Sequence, residues 1–428
     1  MKINLFNILF LLATLILLNA CKFETTILPE VPPYSQGMSQ NRIDKIDSML
    51  LQSIEDEHLP GLVALIARNG KIVFHKAYGQ ANADSSKVMD KNSIFRIASQ
   101  TKAITATAVM MLWEEGKFKL DDPIYKYIPE FKGAKIIDTF NDADSTYTSI
   151  PSPQEITIRH LLTHSSGIGY GVIDGDIRFN KIYQKAGVTD LFTTENISIR
   201  ESVIKLAKLP LHHIPGEAFT YSEGLDVLGY FVEIVSGMPF DKFLKERIFD
   251  PLEMEDTWFY LPKEKENRLV EVLQKVDDKW EKYPVTFYDQ NYPIKGAKKF
   301  FSGGAGLSST ALDYTKFLQM YLNNGVLNGK RILGRTTVKT ILANQMEMWK
   351  QGGPKFYSLA FSVINQRGED EGGQGSLGTF EWGGYFNTQY FADPEEEVIG
   401  ILMKQTRGKI QDDSSWKFRQ MLFSSITD

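Results

Sequence analysis

The sequence predicts an α/β protein of the α+β kind, in which one antiparallel sheet, flanked by helices, is built from strands at both ends of the chain. Three observations predict it. Near the N-terminus, "GLVALIARNGKIVFHKAYG" is two β-rich runs around Asn69-Gly70, a dipeptide that suits the positive φ angles of a type I′ hairpin turn. Near the C-terminus, strand-like runs recur at 357–364, 379–382, 388–392 and 398–403. Between them, about 120–300 mixes helical segments with proline-, glycine- and aspartate-rich loops and shows little strand alternation, so it reads as a mostly helical insertion.

Taken in order, residues 1–20, "MKINLFNILFLLATLILLNA", join one early lysine to a leucine-rich run that ends just before Cys21, the only cysteine in the chain. Leu18-Asn19-Ala20-Cys21 resembles the bacterial lipobox. That resemblance implies a signal peptide over 1–20, a lipidated N-terminal cysteine, and a protein anchored by lipid in the bacterial cell envelope, on the periplasmic side or the outer-membrane surface. Residues 21–41, with three prolines and many polar side chains, read as a tether, and order is expected from about Arg42. The domain then runs over 42–428. Ile43, Ile46, Leu50 and Ile54 recur at helical spacing ahead of the hairpin. "STALDYTKFLQMYLNNG" starts on capping residues and ends on Gly325, which bounds a helix, and an amphipathic helix closes the chain from about Ser414.

The 428 residues are 43% hydrophobic, enough for a sizeable core, and a lone cysteine admits no internal disulfide, so the exported domain is held by packing alone. With 48 basic and 53 acidic residues the formal charge is -5, and no basic tract follows a phosphate backbone. Nucleic acid is excluded as a partner on that ground.

One short stretch carries chemistry. In "FRIASQTKAITATAVMMLWEEGK" Ser99 and Lys102 stand three residues apart where an apolar helix begins, so both lie on one helix face. A serine hydroxyl is a poor nucleophile until a neighbour takes its proton, and an amine sequestered from water is biased towards its neutral form. The same four residues also suit a capped helix start with a solvated lysine.

The flanks, "FRIASQTKAITATAVMMLWEEGKFKLDDPIYKYIPEF", resemble the nucleophile helix of the serine β-lactamase-like superfamily, which holds class C β-lactamases, DD-peptidases and related carboxylesterases and for which S-x-x-K is a motif. "ITIRHLLTHSSGIGYG" and "GGAGLSSTALDYTKFLQMYLNNG" resemble later segments of the same superfamily, so the likeness spans about 42–417. It implies a β-lactamase/transpeptidase-like fold, Ser99 as nucleophile and Lys102 as its base. In "PGEAFTYSEGLDVLGYFVEIVSG" the resemblance assigns Tyr221 to proton transfer and puts Glu223 where β-lactamases carry a substrate-holding asparagine. The usual K-T-G becomes Trp382-Gly383-Gly384, similar to the family VIII carboxylesterases; tryptophan removes the cation that holds a β-lactam carboxylate. By the same likeness Trp382, Gly383, Gly384 and Glu223 contact substrate, and the backbone amides of Ser99 and Tyr385 form the oxyanion hole. A carboxylesterase acting on a small ester or amide through an acyl-enzyme is the leading expectation, with no cofactor and no metal. A β-lactamase or D-amino-acid (DD-) peptidase is the alternative, and a penicillin- or peptidoglycan-binding sensor lipoprotein that acylates without turnover is the alternative of another class.

Other signals are discounted. "GQGSLG", 373–378, matches G-x-G-x-x-G but precedes a strand run instead of a helix, so it reads as a loop. His160 and His164 are spaced like zinc ligands yet lack the glutamate of H-E-x-x-H, and His212-His213 has no ligand partners at a recognisable spacing; both pairs read as structural. No G-x-S-x-G elbow occurs, which argues against an α/β-hydrolase.

Overall fold

The computed structural model describes residues 27–346, 353–408 and 410–428, so the expected signal peptide and Cys21 lie outside the described residues. Helix α1 (Gln40–Glu55) leads into the expected hairpin, strand β1 (Gly61–Arg68) and strand β2 (Lys71–Gly79). Asn69 and Gly70 sit at φ 52° and 70°, both left-handed, as a type I′ turn requires. Helix α2 (Thr101–Glu114), helix α3 (Gly224–Ser236) and helix α4 (Ala311–Leu322) follow. The chain then returns as β3 (Lys355–Tyr357), β4 (Ser362–Ile364), β5 (Phe380–Gly383), β6 (Gln389–Asp393) and β7 (Val398–Met403), before helix α5 (Ser414–Ser424).

The main sheet has the order β3-β4-β5-β6-β7-β1-β2. Every neighbouring pair is antiparallel, and the two ends of the chain meet where Val63 of β1 pairs with Met403 of β7. β1 is buried along its whole length because both faces of the sheet are covered. Its Leu62, Ala64 and Ile66 pack with Ile46 and Leu50 of α1 and Leu422 of α5. The alternate residues Val63, Leu65 and Ala67 join the larger core with Phe317 of α4 and Val109 of α2. Helix α2 is buried from Thr101 to Leu112, so it carries apolar and small residues all round, and its threonines return their hydroxyls to backbone or buried partners, as Thr105 does to the Gly303 carbonyl.

Three expectations need correction. The insertion, read as mostly helical with little strand alternation, also carries hairpins over 135–151 and 273–282, on exposed segments whose polar composition hides the period of two. The run at 357–364 is two strands, because Ala360 at φ 69° reverses the chain without a glycine or proline to announce it. The tether is shorter than residues 21–41. Leu28 and Met38 are buried, the Val31 amide donates to the Ile72 carbonyl, and buried Arg68 donates to the carbonyls of Gln36 and Gly37.

Candidate active site

The segment before α2 is held from several sides. Phe95–Arg96 pairs with Ser308–Ser309, and the buried Arg96 guanidinium donates to the carbonyls of Gln290 and Val270. The Ile97 amide donates to Leu307, and the Leu307 amide to Thr101 Oγ1. Ala98 then takes φ 46°, a left-handed conformation a β-carbon disfavours, and Ser99 follows in the tight turn that opens the helix. The side chain of Ser99 reaches a cavity of about 630 Å³.

Lys102, one turn on, is wholly buried. Its Nζ donates to Ser99 Oγ at 3.3 Å, to the Tyr170 hydroxyl at 2.9 Å and to the Gly304 carbonyl at 2.8 Å, so all three N–H bonds of an ammonium have acceptors. Tyr221 lays its ring over the same Nζ, 4.6 Å from the centroid, and also lines the cavity. Thus the structure brings together Ser99, Lys102 and Tyr221 as expected, and adds a second tyrosine. Tyr170 was missed because it lies in a loop far from Lys102 in sequence; burial, followed by Tyr221 and then the acids Asp226 and Glu223, holds its phenol well above the ordinary value.

Tyr221 is placed by His164. This histidine has φ 55°, is fully buried, and takes the Ser222 amide on Nδ1 at 3.1 Å, with its ring 4.6 Å from that of Tyr221. Burial and the Lys102 charge hold its pKa well below the usual 6.5, so the ring is neutral and Nδ1 is the acceptor. His160 instead accepts the Thr157 amide in a capping box, and His212 meets Asp174 while stacking on Phe179. His213 meets the Ile214 carbonyl and Thr220 Oγ1, so His160, His212 and His213 hold the surrounding loops while His164 positions Tyr221.

The opposite wall is the end of β5. Trp382, Gly383, Gly384 and Tyr385 line the cavity with Ser99. A β-carbon on Gly384 would stand 2.5 Å from the Ile97 carbonyl and 2.2 Å from Thr388 Oγ1, so only glycine lets this strand end approach the Ser99 turn. The Gly384 amide donates to Thr388 and the Asn387 amide back to Gly384, a turn whose bonds leave the Tyr385 amide unused.

Glu223 departs from its expected place. It is 3% exposed, is absent from the cavity wall, and forms a buried acidic group with Asp190 and Asp226 behind Tyr170. Burial, then the mutual repulsion of these acids, pushes Glu223 and Asp190 upward, and burial does the same to Asp226. Asp226 accepts from Ser302 Oγ at 2.5 Å and from the Gly304 amide at 3.3 Å, which fixes the loop whose carbonyl receives Lys102. An aspartate inside the apolar run of α3 was the sequence signal that this role offered. Among the described residues no group of three or more His, Cys, Asp or Glu side chains is placed to hold a metal ion.

A sequence profile for the beta-lactamase family matches residues 46–423. The chain belongs to the beta-lactamase family. Within it, the chain is 31% identical over 363 residues to Protein Rv1367c of Mycobacterium tuberculosis, covering 81% of this chain and 86% of that one. It is 28% identical over 389 residues to Esterase EstB of Burkholderia gladioli, with 85% and 90% covered. Among solved structures, EstCE1, a hydrolase with promiscuous acyltransferase activity, superposes with a TM-score of 0.75 at 23% identity, covering 91% of this chain and 99% of that one. The fold is thus that of β-lactamase and penicillin-binding protein relatives, and the protein is a serine hydrolase.

Proposed function

We propose that the protein is a carboxylesterase that forms its acyl-enzyme on Ser99. The observation that carries this reading is Ser99 Oγ lying 3.3 Å from Lys102 Nζ in a cavity whose far wall is Trp382-Gly383-Gly384-Tyr385. Ser99 Oγ attacks the ester carbonyl carbon while its proton passes to the Lys102–Tyr221 pair. The oxyanion is taken by the amides of Ser99 and Tyr385. The proton then moves to the leaving alkoxide, and water, activated by the same pair, releases the acid and restores Ser99. Of the two tyrosines on Lys102, Tyr221 lines the cavity and Tyr170 does not, so Tyr221 meets the leaving group and Tyr170 anchors the amine. The esterase named among the relatives supports the substrate class.

The β-lactamase and DD-peptidase alternatives need a side chain for the substrate's amide, and Glu223 is buried and does not line the cavity. Esters of short acids are therefore expected to give a higher kcat/KM than cephalosporins or D-alanyl-D-alanine peptides, by about tenfold or more for the loss of one buried polar contact. Steady-state assays on the three substrate types decide it; a cephalosporin turned over faster than the ester transfers the assignment to the β-lactamase alternative. Slow release of an acyl group from all three would instead mark the sensor.

The protein is further proposed to be lipidated at Cys21 and held at the bacterial cell envelope. Among the described residues Ile27 already packs against the core, so the six residues 22–27 would allow at most about 22 Å between lipid and domain. Mass spectrometry of the membrane fraction is expected to find a diacylglyceryl-modified Cys21 at the mature N-terminus; an unmodified N-terminus there would dispose of the anchor.

A further inference from the structure

Charge in the catalytic cavity is one-sided. Its charged lining residues are Lys355, Arg407, Arg419 and Glu381, three cations to one carboxylate. Glu381 is already shared by Lys355 and Arg419, which leaves Arg407 over.

Arg407 follows β7 and lies against the oxyanion turn. Its guanidinium stacks on the Tyr385 ring, 3.7 Å from centroid to Cζ, and Nη1 donates to the Tyr385 carbonyl at 3.1 Å. Its Nε is buried with no hydrogen-bond partner, and Arg407 makes no ion pair, among the described residues. Of the two acids on the following segment, Asp412 is taken by Lys404 at 2.6 Å and by Ser414 Oγ, and Asp413 by Lys417 at 2.5 Å. A guanidinium fixed by stacking, with donors to spare and no counter-ion, in a cavity walled by Trp382, Tyr385 and Phe391, is a built receptor for a planar anion.

Resting on the reading of Ser99 as nucleophile, we infer that Arg407 selects substrates carrying a free carboxylate, namely monoesters of dicarboxylic acids or hydroxy acids acylated on their hydroxyl. Tyr385 supplies both the proposed oxyanion amide and the ring under Arg407, so the carboxylate and the reacting carbonyl belong to one small molecule. The cation that Trp382 removes from β5 is thereby supplied from the β7 side.

The test uses a matched pair, 4-nitrophenyl hexanoate and mono-4-nitrophenyl adipate, which differ in the terminal carboxylate. The wild-type protein is expected to favour the adipate by about tenfold or more in kcat/KM, chiefly through KM, one charge-assisted hydrogen-bond pair being enough for that. This ratio should fall as salt is raised from about 0.02 to about 0.5 M. Arg407→Gln should bring the ratio to about one, and Arg407→Lys should leave it in between. Any loss common to both esters measures damage to the Tyr385 turn and cancels in the ratio. Hydrolysis of both esters with a wild-type ratio near one, or a ratio unmoved by salt and by Arg407→Gln, overturns the selection while the esterase reading stands. Failure to hydrolyse either ester overturns both.

Discussion

Ser99→Ala is expected to remove ester hydrolysis by on the order of 10⁴-fold or more in kcat and to abolish labelling by a fluorophosphonate probe. The fold should survive, because Ser99 Oγ is only one of the three acceptors of Lys102 and the change leaves a small, partly exposed gap. A melting temperature within about 3 °C of wild type is expected. Lys102→Met should lose nearly as much activity, since residues that move one proton act as a unit and their losses do not add. Its stability should differ from that of Ser99→Ala. The buried Tyr170 hydroxyl and Gly304 carbonyl lose their shared donor, at a cost of about 1 to 3 kcal/mol each. Turnover by Ser99→Ala at a wild-type rate would remove the nucleophile from the scheme.

The second large effect belongs to a residue without a side chain. Gly384→Ala places a β-carbon against the backbone carbonyl of Ile97, two residues before Ser99, and against Thr388 Oγ1, so the end of β5 must move away from the Ser99 turn. The Tyr385 amide, the proposed oxyanion donor, moves with it, and loss of one such donor costs about 10² to 10³ in kcat. Gly383→Ala is the comparison: its nearest neighbours are the Thr388 carbonyl at 3.3 Å and Gln389 Cγ at 4.0 Å, contacts that a few tenths of an ångström relieve. Gly384→Ala should therefore lose at least about tenfold more kcat than Gly383→Ala. Equal losses would mean that the close approach of β5 to the Ser99 turn does not set the oxyanion geometry.

Local signals were legible in the sequence and distant ones were not. The β1–β2 turn is written in Asn69-Gly70, and the apolar run of β7 gave its bounds, Val398–Met403, because both sets of residues report their own backbone. Ser99 and Lys102 could be paired because one helical turn brings i and i+3 together. Tyr170 reaches Lys102 only through tertiary folding, so no spacing reveals it, and Arg407 reaches the cavity only because β7 pairs with β6 beside β5. Glu223 was misplaced for a related reason. A motif position fixes which loop a residue occupies, whereas the Glu223 side chain is 3% exposed among the buried acids Asp190 and Asp226 and does not line the cavity. The hairpin over 135–151 escaped notice because its strands are largely solvent-exposed and carry lysine, aspartate and threonine in place of an apolar alternation.

The assignment of Ser99 as the acyl-carrying residue is tested most directly by peptide mapping after reaction with a fluorophosphonate, in which the Oγ–P bond forms and the P–F bond breaks. One probe per chain is predicted, on the peptide containing Ser99, with ester turnover falling in proportion to its occupancy. Label on any other residue, or full turnover by protein whose Ser99 is completely labelled, would contradict it.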